Sequence, residues 1–213
     1  MGTWNLILQG LASGVVTGCV YALVALSLVI VFKSTDVLNF AGGEFVMIGA
    51  YMGLFILLGL ELPYLTLFVM VPIGAFVLGG LFTRFSLDKV SGRAVVKHAN
   101  LVPQVVATIA LSYLLKGIMR VIPFTEEVRR LPPLMTGPPI FLGDVVIQQQ
   151  DIAIVLVTSV VMVILWLFFG FTFVGKALRA TSQNTRAAAL LGVPVNLMKL
   201  SVWGLSAAIA GIA

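Results

Sequence analysis

Charge is what this sequence has least of. Only 10% of its 213 residues are Asp, Glu, Lys or Arg, against 60% hydrophobic residues and a mean hydropathy of +1.13. A soluble domain of this length needs far more charge to cover its surface, so a water-soluble globular fold is excluded. Cysteine is almost absent. Cys19 stands alone inside an apolar run, which rules out an internal disulfide and marks it as a small packing residue. Histidine is also single, and His98 lies among basic loop residues. Neither a Cys/His metal set nor a Ser–His pair at membrane depth can therefore be assembled. A glycine-rich phosphate loop with its lysine is missing too, so this chain is not expected to hydrolyse ATP or to be an enzyme. No Lys or Arg precedes Leu6 and the following run is too long for a signal core, so no cleavable signal is expected.

What is present is a succession of long uncharged runs. Lipid cannot hydrogen-bond a backbone, so such runs cross a bilayer as helices or as strands of a closed barrel. These are continuous and do not alternate, which selects helices. The fold class is an all-α, polytopic transmembrane bundle of about six spans. The first run, Leu6 to Phe32, has 27 residues, or roughly 40 Å of helix, and must tilt or extend into the headgroups. The second, Phe45 to Leu60, is short and follows a polar stretch, so residues 33–60 either span or re-enter. The third runs from Leu62 to Phe82 with a kink expected at Pro72, the fourth over about Ala99 to Met119 and the fifth from Ile152 to Val174. A sixth begins near Leu200 and holds 14 residues at Ala213, so it reads as truncated, with further spans expected.

The net charge of +5 gives no nucleic-acid surface, because the basic residues cluster in short loops between spans. They set orientation instead. With the amino terminus outside, the cytoplasmic segments 33–44, 83–98 and 175–199 hold nine basic residues (Lys33, Arg84, Lys89, Arg93, Lys97, Lys176, Arg179, Arg186, Lys199) against Asp36, Glu44 and Asp88. The external side then holds Lys116, Arg120, Arg129 and Arg130 against Glu61, Glu126, Glu127, Asp144 and Asp151. The bias obeys the positive-inside rule. Residues 120–151 form an external loop whose repeated prolines, including Pro132-Pro133 and Pro138-Pro139, forbid a long helix. It is either ordered over the bundle or a loose linker. The whole chain, 1–213, reads as one membrane domain.

Three stretches carry local information. Gly10, Gly14 and Gly18 recur every four residues, a stripe that lets another helix approach to backbone contact. Similar spacing recurs at Gly49/Gly53, Gly204/Ala208 and Ala207/Gly211. Asn39-Phe-Ala-Gly-Gly-Glu44 places an amide and an acid beside two glycines between apolar runs, which reads as a helix break. Irregular backbone at membrane depth is tolerated only in protein or along a watery cavity, so Asn39 and Glu44 are pathway candidates. The alternative is that Glu44 sits at the cytoplasmic interface and favours the next helix's N-terminus. Finally, residues 175–199 read as a cytoplasmic segment with a short Ala- and Leu-rich helix stopped by Gly192 and Pro194. Gly175, Arg179, Ala187, Ala188 and Gly192 would form its docking face for a soluble partner.

These same stretches resemble a known family. Gly18-x-x-Tyr21-Ala-Leu, Asn39-Phe-Ala-x-Gly-Glu44-x-x-Met47-x-Gly-Ala-Tyr51 and Gly175-x-x-Leu178-Arg-Ala-x-x-x-Asn184 with Ala188-x-Leu190-Leu-Gly192-Val are similar to branched-chain amino-acid ABC permeases of LivH type. Ser27 stands where that pattern has Gly. The resemblance implies an ABC-importer permease fold in a bacterial inner membrane and a cytoplasmic coupling segment at 175–199. It implies a second homologous permease subunit, two cytoplasmic ATP-binding subunits that use the ATP, and a periplasmic substrate-binding protein. No cofactor, metal or nucleic acid is expected on this chain. Competing readings are an ion-coupled secondary transporter, for which broken helices are also typical, and an ABC permease for urea or short-chain amides.

Overall fold

The computed structural model describes residues 3–87, 101–122, 131–135, 137–142 and 145–213. Asp88, Lys89, Arg93, Lys97, His98, Glu126, Glu127, Arg129, Arg130 and Asp144 lie outside them. Among the described residues, six helices are long and apolar enough to cross a bilayer. The longest is α1 (Thr3–Thr35). Next comes α2 (Gly42–Leu54), which a π-turn carries on through Phe55–Gly59. That makes a helical stretch of 18 residues, long enough to cross without re-entering. A short 3-10 turn, Tyr64–Thr66, leads into α3 (Leu67–Phe82), which continues on both sides of Pro72. Then follow α4 (Leu101–Val121) and α5 (Gln149–Phe171). Two short helices, α6 (Phe173–Gln183) and α7 (Thr185–Leu190), precede α8 (Val195–Ile212).

Between α4 and α5 the chain forms a small antiparallel hairpin, β1 (Ile140–Leu142) with β2 (Val145–Ile147), pairing Phe141 with Val146. The carboxamide of Gln9 on α1 treats β2 as a neighbouring strand would. Its oxygen accepts the Val146 N–H at 2.9 Å and its nitrogen donates to the Val146 carbonyl at 3.0 Å. The Leu134 N–H donates to Gln150 Oε1 at 2.9 Å, so this proline-rich segment is tied to the first turn of α5. These bonds tie its described residues to α1 and α5.

The centre of the bundle is α8, which packs against α3, α1 and α2. In lipid, apolar transfer cannot drive helices together, so van der Waals contact at close range and interhelical hydrogen bonds must. The small residues of α8 permit both. A methyl group at Gly49 of α2 would overlap the Gly211 carbonyl of α8. At Gly79 of α3 it would come within 2.6 Å of the Trp203 carbonyl oxygen and 2.8 Å of the Ala207 Cβ. Ser206 donates to the Ser27 carbonyl at 2.8 Å, which joins α8 to α1 through two fully enclosed residues. The Ser27 hydroxyl turns back to the Val24 carbonyl at 2.7 Å, so a serine is satisfied where glycine was expected. Trp203 is buried with its ring 5.7 Å from that of Phe82.

The stripe at Gly10, Gly14 and Gly18 does not serve this packing. All three are exposed, and nothing lies within 4 Å of where a side chain would begin. The buried residues of α1 lie farther along, from Leu23 to Val31, where α8 packs against it. The contact expected at the first stripe is made instead by Gly49, Gly79, Gly204 and Gly211. Gly49→Ala should therefore destabilise the purified chain by about 1–3 kcal/mol, the usual range for overpacking. Gly14→Ala should leave its thermal unfolding in detergent unchanged. Equal losses at the two positions would contradict this assignment of contacts.

Candidate functional site

The first polar cluster surrounds the break between α1 and α2. Asp36 ends α1 in the left-handed region, at φ 56, with its N–H bonded to the Phe32 carbonyl at 2.8 Å. The non-helical residues that follow alternate in exposure. Val37, Asn39 and Ala41 are buried, while Leu38 and Phe40 face outward. Their backbone groups have left the helix and must find partners, since lipid offers none. Asn39 Oδ1 accepts the Ala41 N–H at 3.0 Å. Thr108, fully buried on α4, accepts the Phe40 N–H at 3.4 Å. Its single hydroxyl proton is shared between the Val105 carbonyl at 2.8 Å and the Leu38 carbonyl at 3.3 Å.

Glu44 follows in the first turn of α2, where the helix N-terminus favours a negative charge. Its carboxylate forms an ion pair with Lys116 Nζ of α4 at 2.8 Å, and the Ser112 hydroxyl also bonds to it. The Glu44 side chain is 9% exposed and that of Lys116 54%, so one end of the pair is enclosed and the other open. Depth follows from α4. Thr108 lies seven residues past Leu101 and Ser112 eleven, roughly 10 and 16 Å along the helix axis. The break and Glu44 thus lie beside the middle of α4 and not at its end.

That geometry corrects the charge count above, which assigned Glu44 to the cytoplasmic segments and Lys116 to the external side. One ion pair joins them between α2 and α4, so neither is a loop residue. The place of Glu44 in the first turn of α2 is the one the interfacial reading gave it, while its enclosed carboxylate and its partner on α4 fit the pathway reading. Sequence reading noticed Lys116 but missed its companions. Gln104, Thr108, Ser112 and Lys116 recur every fourth residue through an otherwise apolar run, and that period puts them on one face. The signal was available.

The second cluster is the turn-rich segment after α5. Thr172 caps α6, its hydroxyl accepting the Gly175 N–H at 3.0 Å and donating to the Phe168 carbonyl at 2.6 Å. Gly175 is buried against Phe168, and a methyl group there would overlap the Phe168 carbonyl. It makes the sharp corner between α5 and α6 possible and offers nothing to a partner, contrary to its expected docking role. Helix α6 turns Ala177, Leu178 and Thr181 inward and leaves Lys176 and Arg179 outside.

Asn184 caps α7 by accepting the Ala187 N–H at 3.0 Å. Gly192 closes it at φ +85, with its own N–H on the Ala189 carbonyl and the Val193 N–H on the Ala188 carbonyl, both at 3.0 Å. This is the left-handed stop that glycine accommodates without strain. Ala188 is only 3% exposed, so it supports α7 from beneath and cannot be an outward docking residue as expected. Ala187 and Arg186 do face outward. Beside them stand Leu190 and Leu191, 89% and 84% exposed, the most exposed large apolar side chains among the described residues. Sequence reading passed over them because the period of a helix this short does not identify its outer face.

Residues 10–213 match the family described as branched-chain amino acid transport system / permease component. The chain belongs to that family. It is 29% identical to the high-affinity branched-chain amino acid transport system permease protein BraD of Pseudomonas aeruginosa, over 97% of this chain and 69% of that protein. It is 28% identical to the permease protein LivH of Escherichia coli K12, over 97% of this chain and 68% of that one. A probable LivH permease of Methanocaldococcus jannaschii is also 28% identical, over 98% of this chain and 64% of its own length. No solved structure matches. The permease is thus a multi-pass membrane protein.

Within it, Thr108 carries the link between α4 and the break. Thr108→Val keeps the side-chain shape but removes the hydroxyl from the Phe40 N–H and the Leu38 carbonyl. It should cost about 1–3 kcal/mol, the penalty of leaving such backbone groups without a partner. Thermal unfolding of the detergent-solubilised permease measures this. An unchanged midpoint would show that the hydroxyl does not hold the break.

Proposed function

We propose that this permease imports branched-chain or related amino acids through the bacterial inner membrane, with Asn39 and Glu44 lining the pathway. The observation that carries this reading is the break between α1 and α2, where an amide, an ion pair and two hydroxyls meet beside the middle of α4. Polar side chains at that depth are costly in lipid and are kept where something polar passes. The named relatives give the substrate class. A complete importer then consists of this chain, a second homologous permease, two cytoplasmic ATP-binding subunits and a periplasmic binding protein. ATP is bound and used by those partner subunits.

Motion reaches the pathway through the segment from α6 to Gly192. We assign the contact with the ATP-binding subunit to Leu190 and Leu191, with Ala187, Arg179 and Arg186 around them. An apolar pair left almost fully exposed among basic side chains fits a groove on a soluble partner better than it fits water or lipid headgroups. Gly192 holds the pair in place through its left-handed cap.

Reconstitution of the full complex tests the transport reading. Labelled leucine should enter vesicles only with ATP and binding protein present, and unlabelled urea should not compete. Uptake by the permease chain alone would favour a secondary carrier, and competition by urea would favour the amide reading. The coupling assignment is tested by Leu190→Ser with Leu191→Ser. This variant should insert at normal levels yet lose co-purifying ATPase and cut uptake about tenfold or more, as for loss of an interface anchor. Normal values for both would place the contact elsewhere.

A further inference from the structure

We propose that the Glu44–Lys116 pair is a transit site for zwitterionic amino acids, the substrate carboxylate taking Glu44's place at Lys116 and the substrate ammonium taking Lys116's place at Glu44. This rests on the amino-acid reading of the same break and says which groups recognise the substrate.

The pair is built as the complement of an α-amino acid. An amino acid carries one ammonium and one carboxylate on a single carbon, and the site offers one carboxylate and one ammonium 2.8 Å apart. Opening the pair with a neutral molecule leaves both protein charges without a counter-charge. A lone cation or anion satisfies one and strands the other. Only a zwitterion gives each of them a counter-charge, which matters most for the enclosed Glu44 carboxylate, where an unpaired charge is costly. The site therefore discriminates against urea and simple amides by charge, before side-chain shape is considered.

Access and release also fit. Lys116 is half-exposed while Glu44 is enclosed, so an arriving ligand meets the ammonium first and exchanges partners from the open side. A pair open at one end is held only weakly, which suits a site that must let its ligand leave. Asn39 adds an unused donor. Its Nδ2 is buried and has no hydrogen-bond partner among the described residues, although a buried polar atom normally has one. Beside Lys116, the Tyr113 ring lies 6.0 Å from its Nζ and is largely exposed, giving an apolar side chain a surface to rest on.

The test uses the reconstituted full complex carrying Gly117→Cys in a Cys19→Ser background. Position 117 adjoins Lys116, and nothing lies within 4 Å of where its side chain would begin, so a cysteine fits there and can be tested with a maleimide. During turnover, leucine should slow labelling severalfold, whereas isovaleramide, which keeps the branched chain but carries no charge, should not. Glu44→Gln with Lys116→Gln should label as the parent does without ligand and lose the protection by leucine. Glu44→Lys with Lys116→Glu, which presents both charges in reverse, should regain it. Equal protection by the amide, protection that survives in the Gln pair, or no protection in a complex that imports leucine would each overturn the proposal. A complex that imports no amino acid would overturn the amino-acid reading itself.

Discussion

Every part of this structure answers to one constraint: a backbone amide or carbonyl that leaves a helix inside a bilayer must find its partner in the protein. The chain leaves helical geometry between Thr35 and Gly42, beside the middle of a neighbouring span. Asn39 and Thr108 supply the missing partners, one from the break itself and one from α4. With Thr108 bonded to the break, α4 lies beside the start of α2, and Ser112 and Lys116 are brought to Glu44. The polar cluster of the permease thus gathers where a helix is interrupted beside α4.

The same solvent explains the glycine-rich core. Because lipid is as apolar as the side chains, α8 gains little from merely being covered. It gains from approach, and its contacts with α2 and α3 are close enough that no Cβ fits at Gly49 or Gly79. A rigid centre of this kind contrasts with α4, whose described contacts are chiefly with α2 and the turn after α3. Firm packing around α8 and polar attachment of α4 divide the bundle into a fixed part and a part held by exchangeable bonds.

Much of this was legible in the sequence. The uncharged runs mark the spans to within a few residues, and Asn39-Phe-Ala-Gly-Gly-Glu44 announces the break without any partner in view. Gly192 likewise announces a helix stop, because few other residues take its conformation cheaply. What failed were statements about which face meets which neighbour. The stripe at Gly10, Gly14 and Gly18 says that α1 can be approached closely but not by what, and this chain leaves it uncovered. Ala188 and Ala187 are adjacent in a helix of little more than a turn, and only the tertiary structure says that one is buried and the other exposed. The Glu44–Lys116 pair joins distant segments, and a count of loop charges placed its members on opposite sides. The every-fourth-residue spacing of polar groups on α4 was the one unread clue.

The central claim is that the break lies at membrane depth and not at a surface. Phe40 is half-exposed within it and accepts a probe without disturbing the buried residues on either side. A spin label at Phe40→Cys, in a Cys19→Ser background and in lipid bilayers, can be located by its relative relaxation by oxygen and by a water-soluble nickel complex. The label should report a position roughly 10 Å below the headgroups, matching the distance of Thr108 along α4. A depth equal to that of a label at Leu190, on the polar surface, would contradict it.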